Sequence, residues 1–430
     1  MIRAEPMRMT LGIAALTFYL WIIHSYKLNA GDVAVIALGV GVLMRGGQMR
    51  VPGQLIVFGV FIFWGAVGLA VTPSVAISTE SLIDLVKLWI ISFFVINVVR
   101  TPAELRYMTI AYLAVFALYP VRGALYNQFI CHCTELGRVA WNFVFKNPND
   151  LAALSLLPMG AAAGVASVER VKLWRYAGMI GVGVLALIIM LTQSRGAMLA
   201  LGVAIVMLPI TSRKRARDLL LIGLALGGAA IFAPKDVWDR LAGLSNVSVD
   251  EGMADVDPEG SAKSRWQIWR IAADQFKAHP VTGVGIGMMP EMNRQTALRE
   301  GLDWEVRGQR DTHSTYLRIA AEMGAPGLLL YLLMWGFVIA KVKKTKAATK
   351  HVRQREFQFM TFIELSVISF LAASVFGTYG SLSFTYMMLS FVWLAADILA
   401  KHPWYVPAGS PELAAGALAA PAPARRRRTV

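Results

Sequence analysis

His313 stands in a run of polar side chains, Arg310, Asp311, Thr312, His313 and Ser314, that opens directly onto a long apolar stretch. An imidazole in such a place suits proton transfer, because neutral histidine within reach of an incoming hydroxyl can take its proton. The spacing predicts that Asp311 caps a helix and that His313 lies in its first turn, where the positive end of the helix dipole disfavours imidazolium. A capping or interfacial histidine is the plainer alternative. Arg195, in "LTQSRGAMLAL", is the second candidate. Arginine at the mouth of an apolar span is costly and marks a functional site, a pair or a side chain reaching for the interface. No acidic residue flanks Arg195 in the sequence, which suits its guanidinium to an anion such as phosphate. Gly196 and Ala197 beside it permit close approach of another helix or a lipid.

The elements that must position these residues are membrane spans. Of 430 residues, 56% are hydrophobic and only 16% charged. A soluble protein carries about 25% charged residues, so much of this apolar mass faces something other than water. Apolar runs of helical, membrane-crossing length recur about twelve times, near 9–26, 31–44, 53–71, 83–99, 106–124, 149–168, 176–192, 196–210, 218–233, 313–340, 357–376 and 382–399. The second and eighth are short. The first run lacks a small-residue cleavage site and is followed by further spans, so no cleavable signal is expected. The chain reads as an all-α polytopic membrane protein with about twelve transmembrane helices.

Charge sets the expected topology. The net charge of +15 would suit nucleic acid, but its distribution does not. With the amino terminus inside and the spans alternating, Arg45, Arg50, Arg170, Lys172, Arg175, the "SRKRAR" run, the "KVKKTKAATKHVRQR" run and the terminal "RRRR" all fall on one side. The short opposite loops near 27–30, 72–82 and 377–381 hold only Lys27. Basic loops face the cytoplasm, so both termini are expected there, and no nucleic-acid partner is expected. The expected divisions are spans over 1–233, a large outer loop over 234–312, spans over 313–400 and a basic tail over 401–430.

Two outer segments are long. One runs from about 122 to 148 and holds Arg122, Arg138, Trp141, Asn142 and Lys146, with Asn149 just beyond; the other runs from about 234 to 312, far beyond ordinary loop lengths. Within the second, 245–260 is acidic, poor in large apolar residues and expected to be mobile, and its spacing fits no calcium loop. The apolar spacing of "SAKSRWQIWRIAADQFKAHP" predicts an amphipathic helix ended by Pro280, which Trp266, Trp269, Arg265 and Arg270 suit to the bilayer interface. A glycine-rich turn, "VTGVGIGMM", follows; its glycine spacing is not that of a dinucleotide site. His24, His132 and His279 stand alone in loops or at span ends and are expected to be solvated, while His351 and His402 fall on the cytoplasmic side. Cys131, His132 and Cys133 offer at most three metal ligands at a spacing unlike the usual zinc patterns, so a free or oxidised surface cysteine pair is expected.

At an outer face without ATP or nucleotide sugars, group transfer needs an activated donor delivered in the membrane, such as a lipid diphosphate. Cationic side chains could stabilise its leaving group, and no Asp-x-Asp pair stands beside the polar cluster, so no metal and no cofactor are expected.

The stretches "LTQSRGAMLAL", "RWQIWRIAADQFKAHPVTGVGIG" and "DTHSTYLRIAAEMGAPGLLLYL", in that order around one large outer loop, resemble the O-antigen ligase and O-antigen polymerase superfamily, and "KNPNDLA" at 146–152 resembles a further segment common there. The resemblance spans roughly residues 140–340; the first five spans match only in hydropathy. It implies a GT-C-like membrane glycosyltransferase of the bacterial inner membrane, with its active site facing the periplasm. Such an enzyme takes an undecaprenyl-diphosphate-linked glycan and transfers it to an acceptor hydroxyl. In the ligases that acceptor is lipid A–core, the product is lipopolysaccharide, and the reaction is metal-independent and inverting. His313 matches the family's essential histidine, and Arg195 and Arg265 match arginines assigned to the donor diphosphate. Ser314 stands where many relatives carry asparagine. Polymerases, whose acceptor is the growing glycan, often use two outer loops with arginines, which the 122–148 segment with Arg122 and Arg138 allows. From another class, twelve spans also suit a transporter or lipid-glycan flippase. That reading would depend on deep charges, chiefly Lys87 with Asp84.

Overall fold

The structure, a computed structural model, describes residues 8–25, 30–135, 137–211, 220 and 261–405. Among the described residues the chain is helical and forms no β-strand; a single isolated bridge joins Glu135 and Arg138. The helices are α1 (Leu11–Ser25), α2 (Gly31–Arg45), α3 (Gly53–Val67), α4 (Val75–Val98), α5 (Pro102–Phe116), α6 (Arg122–Tyr126), α7 (Pro148–Val168), α8 (Lys172–Leu191), α9 (Arg195–Thr211), α10 (Ser261–Ala278), α11 (Met289–Arg299), α12 (Thr315–Thr349), α13 (Gln354–Ala373) and α14 (Ser383–Lys401).

Among the described residues, eight helical stretches are long and apolar enough to cross a membrane: 53–70, 75–98, 102–131, 148–168, 172–191, 315–349, 354–373 and 383–401. The chain is therefore a multi-pass membrane protein. The expected count of twelve resolves differently among the described residues. The first and eighth expected runs are the shorter apolar helices α1 and α9, and the second is the 15-residue α2. The ninth, 218–233, lies almost wholly outside the described residues, as does the acidic 245–260 run. The segment expected as an outer loop from 122 is still helical to Cys131. Two π-turns, one around Pro120, carry α5 through α6 without ending the rod.

Helix α7 lies at the centre, packed on α8 and α13, while α12 packs on α3 and α14. Small residues set the α7 contact. A Cβ on Gly160 would meet the Ser366 side chain at 2.3 Å, so only glycine lets α7 and α13 come this close.

Helix α12 is broken near its start. Gly324 has φ 68° and ψ −172°, a conformation essentially reserved for glycine, and Pro326 follows. Backbone groups freed by such a break must find partners inside protein. Here they do: Val284 N donates to Ala321 O at 2.9 Å, Gly285 N to Glu322 O at 3.0 Å, and Ala325 N to Pro280 O at 2.8 Å. Trp64 Nε1, from α3, donates to Met323 O at 2.9 Å. The glycine-rich turn thus serves as the splint of a discontinuous helix.

The amphipathic helix forms where its spacing places it, over Ser261–Ala278. Its apolar face does not lie free for lipid. Ile268, Ile271 and Ala272 are buried in a small core with Met289, Ala297, Val306 and Ala321, while Trp266 stays exposed. Helix α11, which hydropathy alone does not mark, supplies much of that core. The reason for the difference is α11: α10 and α11 cover each other's apolar stripes, and the segment folds as a cap on α12.

Candidate functional site

His313 is not in the first turn of α12. The helix begins at Thr315 and its cap is Ser314, whose side chain accepts from Leu317 N at 3.5 Å. Asp311 instead accepts from its neighbour, Thr312 N, at 2.9 Å and pairs with Arg318 at 3.3 Å. His313 therefore precedes the cap, held at φ 50°, a left-handed conformation that is strained for a side-chain-bearing residue. Burial and the Arg265 charge pull its imidazole below the ordinary histidine value; Asp311 opposes this, and Arg310 adds to it. The neutral imidazole expected from the sequence is favoured, but desolvation and a facing arginine cause it, rather than a first-turn dipole.

Three tethers hold the backbone around His313. Trp269 Nε1, on α10, donates to Thr312 O at 2.9 Å. Thr315 Oγ1 donates to Gly377 O at 2.8 Å and accepts from Tyr379 N at 2.8 Å. Thr315 N donates to Ser374 O and Gly377 O, both at 2.9 Å. The α13–α14 connection is thereby fastened to Thr315, the second residue after the histidine.

Arg265 is four residues before Trp269 and so shares its face of α10. Trp269 stacks on Phe376 at 6.3 Å between ring centroids, and Phe376 in turn seats against Gly196, where a Cβ would lie 2.8 Å from the phenylalanine Cβ. The close approach expected beside Arg195 is real, and an aromatic side chain from the α13–α14 connection makes it. This chain of contacts brings α9 and α10 to one pocket of about 450 Å³. Arg138, Arg195 and Arg265 line it together, with Asn149, Gln193, Ser194 and Tyr379 among the other lining residues.

The first outer segment thus contributes an arginine to the pocket. Arg138 Nε donates to Thr192 O at 2.9 Å and its Nη2 to Asn149 Oδ1 at 2.8 Å, which fixes the guanidinium plane. Arg195 and Arg265 also engage other groups of the chain. Asp150 lies within electrostatic reach of both Arg265 and Asp311. Tyr379 is 2% exposed, and burial pushes its phenol well above the ordinary value, leaving a protonated hydroxyl at the wall.

His313 itself does not line this pocket; it lies beside it, within electrostatic reach of Arg265. Arg122 is exposed, donating back to Leu118 O at 3.0 Å, and takes no part. Sequence spacing missed Tyr379 and Thr315: a lone tyrosine in the connection between Ala373 and Ser383 and a threonine at a helix start carry no pattern to find. Among the described residues, no three His, Cys, Asp or Glu side chains gather to hold a metal. Cys131 and Cys133 are joined in a disulfide on the exposed surface, the oxidised form of the expected pair. His132 and His279 are exposed as expected, but His24 is fully buried among Tyr112, Phe116, Phe145 and Phe384. It sits on the inner face of α1, which hydropathy cannot tell from the outer one. Lys87 and Asp84 pair at 3.0 Å with both side chains more than half exposed, so the charges a transporter would need at depth lie on the outer surface of α4.

Residues 180–332 match the family model described as O-Antigen ligase. That segment includes Arg195, Arg265 and His313, whereas Arg138 and Asn149 fall before it. No curated protein matches the chain.

Proposed function

We propose, from the premise that residues 180–332 belong to the O-antigen ligase superfamily, that this protein transfers an undecaprenyl-diphosphate-linked glycan to an acceptor hydroxyl, with O-antigen ligation to lipid A–core as the activity. The observation that carries the reading is the convergence of Arg138, Arg195 and Arg265 on one pocket beside a histidine held below its ordinary pKa. In this reading the enzyme sits in the bacterial inner membrane with both termini cytoplasmic and the arginine pocket at the periplasmic face.

The chemistry follows from those groups. The donor's diphosphate enters the arginine pocket, where guanidiniums satisfy its oxygens and hold the bond to the sugar's anomeric carbon toward His313. The acceptor oxygen attacks that carbon from the side opposite the diphosphate. As the new C–O bond forms, the bond to the phosphate oxygen breaks, its electron pair leaves with the diphosphate, and the acceptor proton passes to His313. Attack from the opposite side inverts the anomeric centre. The arginines take up the charge that grows on the leaving group, so this scheme needs no metal and no cofactor.

The placement of Arg138 favours a second reading. An arginine from the first outer segment in the same pocket also suits a polymerase, which extends the glycan on its carrier. Both readings use the same donor site and differ in acceptor.

Cells lacking the gene, and such cells carrying His313→Ala, separate the readings by what accumulates on undecaprenyl diphosphate. Long glycan chains stranded there, unrelieved by His313→Ala, mean ligation. Stranded single repeat units mean polymerisation. Normal surface glycan with full rescue by His313→Ala would overturn the enzymatic reading in favour of transport.

A further inference from the structure

The end of α12 remote from His313 carries a second cationic site. Helix α3 runs antiparallel to α12, with Gly53 against Phe337 and Trp64 against Met323. Arg50, just before α3, therefore lies at the Lys341 end of α12, roughly 40 Å from Thr315 at 1.5 Å rise per residue.

Three arginines there close the carboxyl end of α4. Arg45 Nη1 donates to Val98 O at 2.6 Å, Arg50 Nη2 to Val99 O at 2.6 Å and also to Ile96 O, and Arg100 Nε to Asn97 O at 2.9 Å. Carbonyls left over at a helix end and its negative dipole pole account for some positive charge in this place. They do not account for all of it. Among the described residues, the carboxylates paired with Arg45, Arg50, Lys341 and Lys401 are Glu104 and Asp397, with Arg100 beside Glu104: Arg45–Glu104 at 2.7 Å, Lys341–Asp397 at 2.7 Å, Lys401–Asp397 at 2.8 Å and Arg50–Asp397 at 3.9 Å. Burial, with Arg100 and Arg45 nearby and Asp397 opposing, lowers Arg50 to about 10. Among the described residues, Arg50 Nε and Arg100 Nη2 are buried with no hydrogen-bond partner. Buried guanidinium donors call for an acceptor, and the surplus of cations calls for an anionic one.

The same turn of α4 borders a cavity. Val95 and Val99 line an open-sided space between α1, α4, α5 and α14, otherwise walled by apolar side chains and Tyr112. Val99 thus gives its carbonyl to Arg50 and its side chain to the cavity. An apolar cavity does not hold water well, and the solvent at this depth is lipid tail.

We propose that this cleft binds one anionic phospholipid, its phosphate on Arg50 and Arg100 and an acyl chain in the cavity between α1, α4, α5 and α14. The site is separate from the arginine pocket beside His313 and would stand whatever the acceptor of the transferred glycan. Basic pockets between spans commonly recognise such head groups. Bound there, the lipid joins α14 to the amino-terminal helices.

Native mass spectrometry of the full chain, released from phosphatidylcholine nanodiscs containing about one-fifth phosphatidylglycerol, tests this. The wild type is expected to retain one phosphatidylglycerol in preference to phosphatidylcholine. Arg100→Gln should weaken that retention about fivefold, the scale of one arginine beside an anionic lipid. Met387→Trp, which fills the cavity and leaves every cation in place, should weaken it as well, and this arm decides the matter if Arg100→Gln fails to fold. Equal retention of the two lipids by the wild type overturns the proposal. So does unchanged retention in Met387→Trp, which would mean that a phosphate group alone is read, without the tail.

Discussion

At His313 the backbone, the neighbouring charges and the burial all act on a single imidazole, and each leaves a separate experimental mark. If the deprotonated imidazole takes the acceptor proton, activity is flat above the ordinary histidine pKa and falls only in more acid solution, because the pKa of the group lies lower. Asp311 raises that pKa and Arg310 lowers it, so Asp311→Asn should move the acid limb of the rate profile to lower pH and Arg310→Gln should move it higher. A profile unmoved by both would separate the titrating group from His313. The residue types here were legible in the sequence; the cause of the shift was not. It depends on burial and on Arg265 arriving from a helix nearly fifty residues earlier, and no local spacing encodes that meeting. Ser314 is the other informative residue. Ser314 caps α12, and serine and asparagine both cap helices well. Ser314→Asn is therefore expected to melt like the wild type in detergent, and Ser314→Ala to lose about 1 kcal/mol.

At the scale of elements, the unexpected feature is the break in α12 and the turn that splints it. Periodicity identifies an apolar run from 313 to 340 and reads it as one span, since a single glycine and a proline do not interrupt hydropathy. The break needs Gly324, whose Cβ would lie 2.0 Å from Val281 O, and it also needs Gly283, whose Cβ would lie 2.2 Å from the Glu322 carbonyl carbon. Gly324→Ala should cost about 3 kcal/mol or more, adding steric overlap to a backbone conformation closed to other residues. A thermal melt in detergent measures it, and a wild-type midpoint would mean that α12 can run straight. Amphipathic α10 was visible from its spacing, with its end at Pro280. Its partner was not: hydropathy finds a stripe of apolar residues but cannot say whether lipid or another helix covers it. The answer depends on α11, a short, polar-looking helix whose few buried residues match that stripe.

For the whole molecule, the sequence sorts apolar runs well and counts them less well. The eight long spans agree with runs found by hydropathy, while the shorter α1, α2 and α9 fall below the length that makes a crossing certain by composition. The pocket is assembled from four regions: Arg138 before α7, Arg195 opening α9, Arg265 on α10 and Tyr379 after α13. The matched segment, 180–332, contains two of these arginines and the histidine, but Arg138 lies outside it and is brought in only by the fold. Arg138→Gln is accordingly expected to lower glycan transfer by about a hundredfold, as loss of one preorganised donor at a developing charge does, while exposed Arg122→Gln leaves it unchanged. In the proposed reaction these arginines and His313 act on one donor. Its most direct measurement is transfer by the purified protein, from labelled undecaprenyl-diphosphate glycan to lipid A–core, for the wild type and for His313→Ala. Labelled lipopolysaccharide from the wild type, with His313→Ala at least about a hundredfold slower while still binding the donor, is the predicted result. Equal rates from the two proteins would contradict it.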